Sequence, residues 1–162
     1  RGKVVAIEYS PLICLLVQDG LEKLKDFAPG KIKKGEKEEA WLELAKASSR
    51  IEPVCANHRI VLAGLPTRSV DVVYFDPMFR TTVTGSSSMK PIKEWSYPEP
   101  LGRETVQQAC RAARKRIVLK ERRFGGEFER LGFTLADGSK YSSIGFGIID
   151  LTMTREEILC GL

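Results

Sequence analysis

Histidine is almost absent from this chain: His58 is the only one in 162 residues. The four cysteines, Cys14, Cys55, Cys110 and Cys160, lie far apart and form no C-x-x-C pair. Neither a zinc site nor a disulfide framework is therefore expected. Each cysteine sits among apolar neighbours, the setting of a small core residue. Such thiols belong to a reducing, cytoplasmic compartment. No apolar run approaches the ~18 residues of a membrane-spanning helix. No apolar stretch as long as a signal-peptide h-region follows Arg1-Gly2-Lys3, so no secretory signal is expected. The chain opens without methionine and runs directly into a strand-like segment, which reads as a fragment or a lost N-terminus.

What is present is an ordinary globular balance, 43% hydrophobic and 29% charged. The length suits a single domain over 1–162. Such a domain buries about two-thirds of its unfolded surface and needs neither a disulfide nor a metal. Lys and Arg total 26 against 21 for Asp and Glu, a net charge of +5. That excess admits a nucleic-acid partner.

Strand and helix signals alternate along the chain. Val4-Val5-Ala6-Ile7, ending in Glu8, reads as a parallel strand buried on both faces. Ser10 offers an N-cap and Pro11 a first helical position. Leu12, Leu16, Val17, Leu21 and Leu24 continue an amphipathic helix to about Phe27. Residues 29–39 form a charged connection, followed by a short helix with Trp41, Leu44 and Ala45 on one face. Ile51–Cys55 is a second strand whose Pro53 suggests an edge or a start. Ile60, Val61 and Leu65 suit another short helix. Val70–Phe75 is the strongest strand in the chain. A long polar stretch, 80–98, then precedes a helix with Val106, Ala109, Cys110 and Ala113 on one face. Ile117-Val118-Leu119 is the next strand. A final antiparallel pair, near Phe133–Ala136 and Ile144–Leu151, is joined through Asp137-Gly138. The alternation predicts an α/β fold with a doubly wound, mostly parallel sheet and helices on both faces.

Ligands of such sheets bind beyond the carboxyl ends of the strands. Glu8, at one such end, has the chemistry to hold a ribose hydroxyl pair, because a carboxylate accepts several hydrogen bonds. At another end stands Asp76-Pro77-Met78-Phe79. Pro77 has no N–H and fixes a rigid turn. Asp76 offers a carboxylate acceptor and Phe79 a flat face on which a base can stack. Together they suit an exocyclic nitrogen of a base. The competing structural reading has Asp76 capping a turn and Phe79 plugging the core. Arg80, Lys90 and Lys93 flank the motif with Trp95 and Tyr97 interleaved, a pattern suited to RNA phosphates and bases. Lys120 is either a phosphate contact or a lysine that snorkels outward. The cluster Arg111, Arg114, Lys115 and Arg116 reads either as a solvated helix end or as part of the basic surface.

These residues resemble a class I S-adenosylmethionine-dependent methyltransferase. In that fold an acidic residue ends the second strand, as Glu8 does. An Asp/Asn-Pro-Pro-Tyr/Phe motif ends the fourth, and Asp76-Pro77-Met78-Phe79 is similar, with Met78 in place of the second proline. Within the class the chain is most similar to the small-subunit ribosomal RNA guanine-N2 methyltransferases. That likeness rests on Val73–Phe79, on Ala56-Asn57-His58 in the place of an adenosine-binding turn, and on Arg116–Lys120 as a later basic strand. The family's first strand and glycine-rich loop would precede Arg1.

The resemblance implies S-adenosylmethionine as cofactor. Glu8, Tyr9, Asn57, His58 and Asp76 would meet it where three strand ends converge. Asp76, Pro77 and Phe79 would act on the amine. Arg80, Lys90, Lys93 and Lys120 would hold the RNA, and neither metal nor membrane is implied. Two other readings compete. One is a nicotinamide-dependent oxidoreductase, which uses Glu8 equally well and leaves the Asp-Pro-Met-Phe run without a role. The other is a non-catalytic RNA-binding module on the same fold.

Overall fold

The computed structural model describes residues 2–26, 38–77, 95, 97, 99–136 and 142–152. It divides into two compact units: Arg1–His58 with Glu94–Ser96, and Arg59–Lys93 with Tyr97–Leu162.

In the first unit, β1 (Val4–Glu8) runs through α1 (Pro11–Lys25) and α2 (Glu38–Ser48) to β2 (Ile51–Cys55). The two strands pair in parallel, from Val4 opposite Ile51 to Glu8 opposite Cys55. α1 starts where its local chemistry dictates. Ser10 is extended and buried, its hydroxyl accepts from the Ile13 amide, and Pro11 takes the first helical position. Two expectations need correction. Val4 and Val5 are 53% and 54% exposed, so β1 is not buried on both faces. Among the described residues β1 pairs with β2 alone, so it is the edge of a two-stranded sheet and not a central strand. Cys55, the last residue of β2, is exposed as well, unlike buried Cys14, so it is not the small core residue expected.

α3 (His58–Gly64) leads into the second unit. There β3 (Val70–Phe75), α4 (Arg103–Ala112), β4 (Ala113–Arg122), α5 (Glu127–Leu131), β5 (Thr134–Leu135) and β6 (Ile144–Asp150) follow in order. The sheet order is β3-β4-β6-β5. β3 and β4 are parallel, while β6 runs antiparallel to both β4 and β5. This is the antiparallel pair expected at the end of the chain. Its connection through Asp137-Gly138 lies outside the described residues.

The core of this unit forms where α4 meets the sheet. Ile117 and Leu119 of β4 are buried together with Phe75, Val106, Ala109, Phe128, Leu131 and Phe133. Ala109, Ala112 and Ala113 are buried too, and such small side chains permit close approach of helix and strand. Gly147 on β6 is required by packing. A Cβ there would come within 2.5 Å of Phe128 Cδ1 and 2.7 Å of Phe133 Cβ.

The helix face expected through Ala113 stops one residue earlier. Ala113 is extended, with φ −82° and ψ 151°, and pairs with Val70. The expected three-residue strand is in fact ten residues long. Its basic first half has acidic partners. Asp71 Oδ1 accepts from Arg114 Nε at 3.1 Å and lies 3.6 Å from Lys115 Nζ, while Arg116 pairs with Asp150 at 3.7 Å. These exposed pairs contribute little each, about 0–1 kcal/mol. Arg111 has a different task. Its guanidinium donates to the carbonyls of Leu62 at 2.9 Å, Ala63 at 3.2 Å and Leu65 at 2.6 Å, capping the end of α3. Replacing Arg111 with Ala is expected to lower unfolding stability by about 1–3 kcal/mol, the range for hydrogen bonds involving a charged group. Urea denaturation monitored by far-UV circular dichroism measures this.

Candidate active site

The parallel pairing of β1 and β2 brings Glu8 and Ala56-Asn57-His58 to one carboxyl end. The Ala56 amide donates to the Glu8 carbonyl at 3.0 Å, which ties the turn after β2 to the last residue of β1. The Glu8 side chain is half-buried, and its Oε1 accepts from the Ser10 amide at 2.8 Å. That bond orients the carboxylate beside the first turn of α1. A carboxylate has room for further donors beyond this one. Tyr9 follows Glu8 and is exposed, while Asn57 and His58, which follow β2, are half-buried. Together they set an oriented carboxylate beside polar and aromatic groups at one strand end. Near this edge, burial and then a hydrogen bond with Cys55 push the Cys14 thiol up from its ordinary value. Cys14 is thereby kept as a protonated, buried thiol.

In the second unit, Asp76-Pro77 leaves the carboxyl end of β3, and β4 runs alongside in the same direction. Phe75 pairs with Leu119, so Asp76 and Lys120 are next in line on neighbouring strands. They meet: Lys120 Nζ donates to Asp76 Oδ2 at 3.0 Å. Both side chains are partly exposed. The hydrogen bond to Asp76 holds Lys120 above the ordinary lysine value against an opposing cost of desolvation. A lysine so raised keeps its charge until pH climbs above the usual lysine range, so the pair is intact at neutral pH. Tyr74 stands beside them. Burial first, and the Asp76 charge second, push its hydroxyl up. The result is one carboxylate at a strand end, followed by Pro77, with its Oδ2 pinned by a cation.

The site residues expected from sequence thus fall in two groups. Glu8, Tyr9, Asn57 and His58 share one strand end, and Asp76, Pro77 and Lys120 share another. Phe79, Arg80, Lys90 and Lys93 lie outside the described residues. Sequence reasoning did not pair Lys120 with Asp76, although two consecutive parallel strands that both end in charge invite it. It also passed over Phe124, whose signal is Arg122-Arg123-Phe124-Gly125-Gly126 directly after a strand. Among the described residues no group of three or more His, Cys, Asp or Glu is placed to hold a metal ion. No described helix is long and apolar enough to cross a membrane.

No family model matches the chain. It is 33% identical over 151 residues to the uncharacterized protein YpiP of Bacillus subtilis, an alignment covering 91% of this chain and 52% of that protein. It is 28% identical over 121 residues to the ribosomal RNA small subunit methyltransferase J of Buchnera aphidicola, covering 72% and 43% respectively. The chain spans about half the length of the curated relatives it matches. Among solved structures it is similar to a SAM-dependent methyltransferase from Neisseria gonorrhoeae. The TM-score is 0.55 at 19% identity, over 96% of this chain and 55% of that one. The chain has the Rossmann-like methyltransferase fold that Glu8 and the Asp76-Pro77 run led its sequence to resemble.

Proposed function

We propose that the protein transfers a methyl group from S-adenosylmethionine to an exocyclic amine, and that this amine is guanine N2 of ribosomal RNA. The observation that carries the reading is the Asp76 carboxylate, held by Lys120 at 3.0 Å beside Pro77 at a strand end of a methyltransferase fold. When bound, the cofactor supplies an electrophilic methyl group on a sulfonium. Glu8, already oriented by the Ser10 amide, is suited to its ribose hydroxyls. Asn57 and His58 follow β2 at the same edge and suit the adenine side.

The chain's residues then have to present the amine. A guanine amine is a poor nucleophile because its lone pair is delocalised into the ring. Asp76 would accept one of its hydrogens and the Pro77 carbonyl the other, holding the nitrogen pyramidal so that its lone pair is freed from the ring to attack the methyl carbon, after which the nitrogen gives up its surplus proton to water. Lys120 holds the carboxylate in place through Oδ2. Orientation of this kind is the main source of rate for a direct transfer. Phe79 stacks on the splayed base, and Arg80, Lys90 and Lys93 meet phosphates. The net charge of +5 and the ribosomal RNA methyltransferase among the relatives favour RNA. An RNA substrate and free thiols both suit the cytoplasm.

Calorimetric titration with S-adenosylmethionine and with NAD separates this reading from an oxidoreductase. Binding of NAD alone would defeat it. Glu8→Ala is expected to weaken S-adenosylmethionine binding about 5- to 150-fold, the effect of losing ~1–3 kcal/mol of charged hydrogen bonding. Glu8→Gln keeps an acceptor for Ser10 and is expected to fall between wild type and Glu8→Ala. Methyl transfer to small-subunit ribosomal RNA, followed by nucleoside digestion, identifies the modified atom.

A further inference from the structure

The turn that follows β4 carries an aromatic side chain with no structural task. Phe124 is 90% exposed, the most exposed of the large hydrophobic side chains described. A ring so placed stabilises nothing in the core. Its backbone is nevertheless held on both sides. The Arg123 amide donates to the Ser143 carbonyl at 3.0 Å, and the Gly125 amide donates to the Arg122 carbonyl at 3.2 Å. Gly126, at φ +73°, completes the reversal in a conformation that favours glycine. Phe124 is therefore presented at the tip of a fixed turn.

Its surroundings are cationic. Arg122 and Arg123 immediately precede it. The acid beside them, Glu121, is buried, and its carboxylate accepts from the Arg122 amide at 2.8 Å. Arg123 lies across Gly145, where a Cβ would come within 2.9 Å of Arg123 Cγ. Its Nε is buried with no hydrogen-bond partner among the described residues. The stem of this arginine is thus fixed beneath the turn. β4 also runs parallel to β3, so the turn leaves the sheet at the end where Lys120 holds Asp76.

We propose that the Arg122–Gly126 turn is an RNA-docking element, in which an unpaired base stacks on Phe124 and adjacent phosphates meet the arginines. A flat, exposed ring flanked by guanidinium groups is what single-stranded RNA recognises. The inference rests on the reading that the substrate is RNA, and it assigns the substrate's approach to a segment beyond the Asp76 motif.

The test is fluorescence-anisotropy titration of the protein with a labelled single-stranded oligoribonucleotide and with the same sequence as a duplex. Phe124→Ala is expected to weaken single-strand binding about 5- to 150-fold. Phe124→Tyr is expected to restore it to within about 2-fold, because the stacking face remains. Duplex binding, the thermal midpoint and S-adenosylmethionine affinity are expected to stay unchanged in Phe124→Ala. Equal single-strand binding by wild type and Phe124→Ala overturns the proposal alone and leaves the RNA reading standing. So does a loss shared equally by duplex and single strand, or one that Phe124→Tyr fails to rescue. A wild-type protein that binds neither RNA but still binds S-adenosylmethionine overturns the RNA reading and this proposal together.

Discussion

Asp76→Ala is expected to lower single-turnover methyl transfer by about 100-fold or more, with the thermal midpoint nearly unchanged. The two halves of that expectation have separate causes. The activity falls because the variant removes the acceptor that orients the reacting amine, and a misplacement of about 1 Å is enough to cost ~100-fold. Stability survives because the carboxylate's one described partner is Lys120, in a pair whose side chains are both partly exposed. Such pairs contribute about 0–1 kcal/mol. Asp76→Asn separates charge from shape. It keeps an oxygen for the amine and loses the ionic hold on Lys120, so its rate is expected between those of Ala and wild type. Lys120→Met is the complementary variant, with the carboxylate present and unclamped. Its single-turnover rate is expected to fall while S-adenosylmethionine affinity holds. An Asp76→Ala protein of undiminished activity would return the motif to the role of a turn cap.

The parts of this site that were legible in the sequence are those set by local chemistry. Ser10 and Pro11 mark the start of α1 whatever surrounds them, because capping and a missing N–H are properties of single residues. Glu8 and Asp76 could be placed because each follows a continuous apolar run that ends abruptly. Harder to read was Arg114–Arg116. Three consecutive basic residues after a helix look like its solvated end, and the apolar spacing of α4 carries on to Ala113. What draws this segment into β4 comes from elsewhere in the chain: Val70 opposite Ala113, and Asp71 beside Arg114 and Lys115. α5 leaves little trace in the sequence. Its five residues give no helical period, and the signal lies in its ends, where Gly126 and Gly132 both take positive φ. The exposure of Val4 and Val5 was equally hidden, since an apolar run states a strand's composition and not how many layers cover it.

Ile117→Ala is expected to lower unfolding stability by about 2–5 kcal/mol, the largest effect on folding of any variant considered. Ile117 is fully buried, at 0% exposure, in the middle of the strand on which the second unit is built. It is opposite Val73 of β3 on one side and Ile149 of β6 on the other. Truncation would leave a cavity between α4 and the sheet. Its neighbours there, Ala109 and Ala113, have no side-chain length with which to fill it. The loss would be a large part of the ~5–15 kcal/mol that holds a typical domain. Since each kcal/mol moves the midpoint of a chain this size by about 2–4 °C, the thermal midpoint is expected to drop by roughly 5–20 °C. Ile117→Val removes a single methyl group and is expected to cost only ~0.5–1.5 kcal/mol. Scanning calorimetry on both variants checks this, and it also serves as the reference for Asp76. An Ile117→Ala protein, measured well below its own midpoint, should retain its methyl-transfer rate per folded molecule, whereas Asp76→Ala should lose rate while keeping its midpoint. If Ile117→Ala melts with wild type, the α4–β4 contact is not the core of this unit.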